Sequence, residues 1–124
     1  AAGVMEASAR GAKDNGGVTV GILPVDDPDW ASHYIDIPIV TGMGMARNVI
    51  NILSSDLIVA LPGSAGTISE IALALKYGKE VILFRFEVGD WIKPFQREGK
   101  VYHISEVAKL GTLLKERLAA LYNY

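Results

Sequence analysis

The segment from Pro62 to Thr67, Pro-Gly-Ser-Ala-Gly-Thr, has the composition of a turn that binds an anion through its main chain. Its two glycines can adopt tight or positive-φ conformations and allow a ligand to approach the backbone closely. A short apolar run precedes the segment, and apolar residues at helical spacing follow it. Free amides at the start of a helix, together with the helix dipole, favour a phosphate. We therefore predict that phosphate is bound by Pro62, Gly63, Ser64, Ala65, Gly66 and Thr67.

Other interpretations of this segment remain open. It could be only a tight turn between a strand and a helix. Thr67 and Glu70 have the Thr-x-x-Glu spacing of a capping box, which predicts that the helix begins at Thr67 and that Glu70 stabilises its first turn. The segment is not a Walker A loop, because no Lys-Ser or Lys-Thr follows the second glycine.

A second glycine turn, at Gly42 and Gly44, precedes a further predicted helix, and we expect these two glycines to line one ligand-binding crevice with the turn at Gly63 and Gly66. It lacks the third glycine of the dinucleotide-binding fingerprint, because Arg47 occupies that place. At a helix start Arg47 faces the positive end of the dipole and therefore requires an anion nearby. That anion is either a bound phosphate or the carboxylate of Asp56 or Glu70 in a surface ion pair.

Composition excludes several classes of function. The chain has 124 residues, half of them hydrophobic, and we expect one domain over residues 1–124. Its net charge of −2 argues against nucleic acid as a partner. Apolar runs fall well short of the roughly 20 residues of a membrane span, and with no signal peptide visible we expect a cytoplasmic protein. It has no cysteine, and the carboxylates of Asp26, Asp27 and Asp29 favour a solvated loop over a metal site, so we predict no metal.

Strands and helices alternate along the chain, which predicts an α/β fold with a doubly wound parallel sheet and helices on both faces. Ligands then bind beyond the carboxyl ends of the strands. We expect 57–61 to be the central strand, 34–40 to be an extended or edge segment, and 89–100 to be irregular surface. The other predicted strands are 18–23, 80–86 and 101–104, and the predicted helices are 4–13, 46–54, 67–78 and 106–121.

The segment from Pro62 to Glu70 resembles the PGGxGTxxE motif of the Lonely Guy family, long mislabelled as lysine decarboxylases. Arg47, in Met-Gly-Met-Ala-Arg-Asn, lies where that family has an arginine upstream of the glycine turn. Gly-Val-Met-Glu-Ala at 3–7 is similar to one branch of the superfamily, the small bacterial Rossmann-like proteins related to molybdenum-cofactor carriers. The resemblance implies a Rossmann-like fold, a pocket bordered by Gly3 and Met5, and a catalytic role for Glu70.

Two departures from the family motif bear on the choice between a binding function and an enzymatic one. Ser64 replaces the second glycine, which leaves the backbone amide in place, and the His, Glu and Lys around the family arginine are absent. We therefore expect a binding or carrier protein for a phosphorylated small molecule, either a nucleotide or the molybdenum cofactor, with no cofactor required for activity. The alternative is a phosphoribohydrolase that cleaves nucleoside 5′-monophosphates with Arg47 and Glu70. Lysine decarboxylation is rejected, because neither glycine turn holds a lysine for a pyridoxal Schiff base.

Two expectations concern assembly. The resemblance implies a strand, a helix and a second strand before the 3–7 segment, so we expect the chain to be incomplete at its N-terminus or another subunit to cover the exposed strand edge. The helix 68–75 is apolar on all sides, which favours a homodimer or homotetramer. A subunit whose apolar helices serve mainly for assembly is a third, simpler hypothesis.

Overall fold

The computed structural model describes residues 3–23, 26–27, 29, 31 and 33–122. Helices and strands alternate along this part of the chain, and every strand pairing is parallel. The predicted α/β fold is therefore confirmed. The helices are α1 Val4–Asp14, α2 Arg47–Ser54, α3 Ala65–Lys76, α4 Lys93–Arg97 and α5 Val107–Leu121, and the strands are β1 Val20–Leu23, β2 Ile37–Val40, β3 Leu57–Ala60, β4 Glu80–Phe84 and β5 Val101–Ile104.

The chain divides into two compact units, and the boundary falls within α2, after Asn51. The first unit contains α1 and a sheet in which β1 pairs with β2 from Val20 opposite Ile37 to Leu23 opposite Val40. Pro38 lies in β2, an edge strand, where its missing N–H is tolerated. The predicted extended or edge segment is thus a strand over its last four residues.

The second unit contains a sheet with the strand order β3-β4-β5. Its core is formed by side chains from the sheet, from α3 and from the segment before α4. β4 is the most buried strand, because it pairs on both sides and its central residues are closed to solvent on both faces. The buried residues of this core are Ile52, Ala60, Ile71, Ala74, Leu75, Val81, Leu83, Ile92 and Val101.

Within the sheet of the second unit, the middle position belongs to β4 and not to the predicted central strand 57–61. β3 pairs only with β4 in its sheet, and the side chain of Val59 is 37% exposed. Val81, Ile82 and Leu83 of β4 are instead fully buried. Both segments are continuous apolar runs, so the sequence pattern does not show which of them receives a neighbour on each side.

The expectation of an irregular surface over 89–100 is also wrong. A 3-10 turn at Asp90–Ile92 leads into α4, where Pro94 lies in the first turn and needs no hydrogen-bond partner for its nitrogen. Ile92 is 4% exposed, and Phe95 packs against the core of the second unit. The segment therefore contributes apolar contacts as well as surface. No helix among the described residues combines the length and hydrophobicity needed to cross a membrane.

Candidate functional site

The glycine turn connects β3 to α3 in the second unit. β3 ends at Ala60, and α3 begins at Ala65 with Ser64 as its N-cap in extended conformation. The predicted capping box is therefore wrong: Thr67 is the third residue of the helix, and its own amide donates to the Ser64 carbonyl at 3.0 Å. Ala65 and Gly66 belong to the helix, so Thr67 does not lie at its boundary.

Of the first four main-chain amides of α3, two donate to a main-chain carbonyl and two do not. The amides of Thr67 and Ile68 both donate to the Ser64 carbonyl, at 3.0 and 3.2 Å. Among the described residues, the amides of Ala65 and Gly66 have no main-chain partner, and the Ser64 side chain caps neither of them. The turn is open to solvent from Pro62 to Ala65. A helix of 12 residues thus presents accessible N–H groups at its positive end.

Gly63 has a steric role rather than a conformational one. Neither Gly63 nor Gly66 has a positive φ, although both could adopt it. A Cβ atom on Gly63 would lie 2.1 Å from Thr67 Oγ1 and 2.9 Å from Thr67 Cβ. Glycine is therefore required at 63 because the Thr67 side chain lies against its backbone.

Glu70 lies in the second turn of α3 and is half-buried. It has an interaction partner within the protein. Because the helix begins at Ala65, Glu70 is too far along the chain to serve as the reciprocal residue of a capping box. Its predicted catalytic role stays a prediction.

The second glycine turn, in the first unit, is confirmed as a turn. Gly42 and Gly44 have φ values of 62° and 58°, in the left-handed region that favours glycine. Between them, the Met43 amide donates to Thr41 Oγ1 at 3.2 Å. A 3-10 turn at Gly44–Ala46 then leads directly into α2.

Arg47, the first residue of α2, is directed into its own unit. One terminal nitrogen of its guanidinium donates to the carbonyl of Ile22 at 3.2 Å. Its Nε is buried and has no hydrogen-bond partner in the described structure. The described residues of the first unit place no carboxylate within ion-pairing distance of it. An ion pair with Asp56 or Glu70, which belong to the other unit, stays a prediction.

Two cavities of the first unit receive predicted site residues. Met5 and Arg47 line one of about 290 Å³, a partly open cavity whose walls come from α1, β1, the segment before β2 and α2. Gly3 lines a different and more open one of about 470 Å³. Met5 and Arg47 are thus brought together, whereas Gly42 and Gly44 line neither cavity and residues 62–67 belong to the second unit.

Sequence reasoning missed several residues of the cavity beside Arg47. The Ile22 carbonyl, which fixes the guanidinium, comes from a residue 25 positions earlier. Glu6, Thr19 and Asn51 also line this cavity. Glu6 lies in the 3–7 segment that carries the family resemblance, but Thr19, Ile22 and Asn51 belong to no recognisable motif, so only the fold shows that they are neighbours.

The acidic loop is stabilised locally. Asp27 Oδ1 accepts a hydrogen bond from the Asp29 amide at 2.9 Å. Across the described ranges, no group of three or more candidate ligand side chains could hold a metal ion.

Parallel strands, alternating helices and a glycine turn opening a helix define the class of Rossmann-like α/β proteins. The chain belongs to the SLOG cluster4 family, whose family model matches residues 1–113. This places it in the Rossmann-like Lonely Guy superfamily and confirms the resemblance seen in the sequence.

Three comparisons give more detail. An uncharacterized protein of Archaeoglobus fulgidus is 57% identical over 79 residues, which are 64% of this chain and 52% of that protein, so the chain spans about half the length of this curated relative. The molybdenum cofactor binding protein of Rippkaea orientalis and the molybdenum cofactor carrier protein of Chlamydomonas reinhardtii are each 42% identical with a TM-score of 0.79. Each of those two matches covers 94% of this chain and 72% of the other.

Proposed function

We propose that this protein binds and carries a phosphorylated small molecule of the molybdenum-cofactor class, and that the phosphate is held at the start of α3. The observation that carries the proposal is the pair of Ala65 and Gly66 amides without main-chain acceptors at an exposed helix N-terminus. Such donors hydrogen-bond an oxyanion, and the helix dipole adds to the attraction. The similarity to the molybdenum cofactor binding protein of Rippkaea orientalis and the molybdenum cofactor carrier protein of Chlamydomonas reinhardtii supports this choice of cargo.

The side chains at the turn fit a binding role. Ser64 supplies its hydroxyl at an exposed position, and Gly63 lets Thr67 lie close to the backbone so that the turn keeps its shape. We keep all six residues from Pro62 to Thr67 in the proposed site. Gly3, Met5, Gly42, Gly44 and Arg47, from the first unit, stay separate candidates for contacts with the ligand.

One substitution tests the amide donor without removing the helix. Ala65→Pro deletes the N–H at the first helical position, where proline is favoured, and the extended Ser64 before it suits a following proline. The probe is a purified molybdopterin-type pterin phosphate, with inorganic phosphate as its minimal analogue, and affinity is measured by calorimetry. We expect about a tenfold weaker binding, since one charge-assisted hydrogen bond is lost.

The matched control is Val107→Pro. Val107 is the first residue of α5, follows the extended Glu106 and is 69% exposed, so proline there deletes an equivalent amide away from the turn. Its affinity for the probe should equal that of the wild type. Equal binding by the Ala65→Pro variant, or no binding by the wild type, would contradict the proposal. Mass spectrometry of small molecules released on denaturation identifies the natural cargo.

One experiment distinguishes the carrier function from the phosphoribohydrolase hypothesis, in which Arg47 and Glu70 are catalytic. The purified protein is incubated with AMP, and release of ribose 5-phosphate is measured. A carrier releases none, whereas turnover that is abolished by Glu70→Gln would establish the enzyme.

We further propose a cytoplasmic homodimer or homotetramer, which light scattering tests through the mass in solution.

A further inference from the structure

The outer edge of β2, in the first unit, is an apolar strand edge that has no pairing partner in the described sheet. We propose that Pro38 closes this edge to strand addition and so keeps β2 from pairing with the β2 of a second copy of the chain. This role of Pro38 does not depend on the proposed function, because the phosphate-binding turn belongs to the second unit.

The hydrogen bonds to β1 show which side of β2 is open. The Ile37 amide donates to the Thr19 carbonyl at 2.9 Å, and the Thr41 amide likewise donates to the last residue of β1 at 3.3 Å. Successive residues of a strand direct their main-chain groups to opposite sides, so those of Pro38 and Val40 point away from β1. Within the strand, the outer edge therefore offers an N–H group at Val40 only, because the ring nitrogen of Pro38 carries no hydrogen.

The rest of β2 does little to oppose pairing. Ile37 is 49% exposed, and Ile39 and Val40 are each 43% exposed, so the strand is apolar and accessible on both faces. Charged side chains are a common protection of a sheet edge, but none occurs from residue 37 to residue 46. The carboxylate of Asp36, just before the strand, is already bound by Lys13 and by the Thr19 amide.

A second copy of β2 matches this edge geometrically. In an antiparallel pair about a two-fold axis, position 38 of one strand lies opposite position 40 of the other. Each residue of such a hydrogen-bonded pair donates to its partner and accepts from it. Because proline cannot donate, half of these main-chain bonds are lost, and its ring occupies the place of the missing hydrogen.

Restoring the N–H group tests this role. Pro38→Val keeps an apolar side chain and suits a strand, and its mass by light scattering should rise with protein concentration to twice that of the wild type. The double variant Pro38→Val with Val40→Pro returns a proline to the outer edge and should keep the wild-type mass. Pro94→Ala is the control, because Pro94 lies in the first turn of α4 in the second unit, and its mass should equal that of the wild type.

Amide exchange followed by NMR adds a measurement on the wild type, in case Pro38→Val does not fold. The Val40 amide should exchange rapidly in the wild type and about tenfold more slowly in Pro38→Val at concentrations where the mass is doubled. The Ile37 amide, which donates to β1, should exchange equally in both proteins. A protected Val40 amide in the wild type, a wild-type mass of Pro38→Val at every concentration, or a doubled mass of the double variant would each overturn the proposed role of Pro38.

Discussion

Arg117 of α5 donates two hydrogen bonds to the carboxylate of Glu80, the first residue of β4. Nε lies 2.6 Å from Oε1 and a terminal nitrogen lies 2.8 Å from Oε2. Glu80 is only 4% exposed, and the guanidinium lies 5.5 Å from the centre of the Tyr102 ring on β5. The pair attaches the last helix to one end of the sheet and raises the pKa of Arg117, chiefly through the hydrogen bonds to Glu80.

Breaking this pair should destabilise the second unit strongly. Arg117→Met leaves the Glu80 carboxylate buried and uncompensated, which costs about 3 kcal/mol of the free energy of unfolding. Replacing both residues by methionine should recover much of that loss, because no isolated charge remains buried. Urea unfolding of the single and double variants measures both effects. A double variant as unstable as the sum of the single ones would show that the two residues do not act as a pair.

Gly63→Ala should both destabilise the fold and disturb the glycine turn. The new Cβ would meet Thr67 Oγ1 at 2.1 Å, so the turn must shift, at a cost of about 1–3 kcal/mol. Affinity for the phosphate probe should fall together with the thermal midpoint. If the variant binds phosphate as the wild type does, the close approach of Gly63 to Thr67 is not needed for the shape of the turn.

Gly111→Ala is the matched control for that substitution. Gly111 lies inside α5, and a Cβ there would meet no atom within 4 Å. Alanine should therefore stabilise the helix by about 0.5–1 kcal/mol, through the smaller loss of backbone entropy. A rise in the thermal midpoint with unchanged phosphate binding is the expected result.

In the first unit, Gly21→Ala should disrupt the contact of β1 with the segment before β2. Its Cβ would lie 2.9 Å from Ile35 Cγ2, which is too close without movement. We expect a loss of about 1–3 kcal/mol. Adding Ile35→Ala removes the atoms that clash, so the double variant should be more stable than the sum of the single effects. Equilibrium unfolding of the three variants tests this coupling.

Stability should fall in acid partly because of Asp36. A hydrogen bond from the Lys13 side chain, followed by one from the Thr19 amide, lowers the pKa of Asp36 below its ordinary value of 3.8. The folded state therefore binds this proton less readily than the unfolded state. The contribution of the Asp36 carboxylate to the free energy of unfolding is complete above its ordinary pKa. This contribution is lost as the pH falls through the lowered pKa of the folded state.

Two variants isolate this effect. Asp36→Asn removes the titrating group, and Lys13→Met removes the largest cause of the lowered pKa. Both should show a shallower decline of the urea midpoint than the wild type as the pH falls below 3.8. If the urea midpoint of both variants falls with pH as steeply as that of the wild type, Asp36 is not the source of the decline.

Local pattern was sufficient to predict most elements. Apolar residues at helical spacing predicted α1, α2, α3 and α5, and continuous apolar runs predicted β3 and β4. The order of strands within a sheet depends instead on pairing between distant segments. The sequence therefore did not distinguish β3, which lies at one end of the described sheet of the second unit, from β4, which is paired on both sides.

The candidate site also combines features that the sequence predicts with features that only the fold shows. The two glycine turns were predictable because turn chemistry is local, and both begin helices or lead into them. The start of α3 was misplaced, since Ala65 and Gly66 have no property that excludes them from a first helical turn. The partner of Arg47 and the reason for glycine at 63 depend on close contacts that no motif records.

The complete burial of Val81, Ile82 and Leu83 has a consequence before folding is finished. Together with Phe84 they form a short uncharged stretch of high β-propensity, the kind that aggregates when chains emerge unfolded. Glu80 and Arg85 flank it with opposite charges, and flanking charges of this kind oppose the self-association of apolar stretches. We therefore expect Glu80, which holds α5 in the folded protein, to limit self-association of the unfolded chain as well.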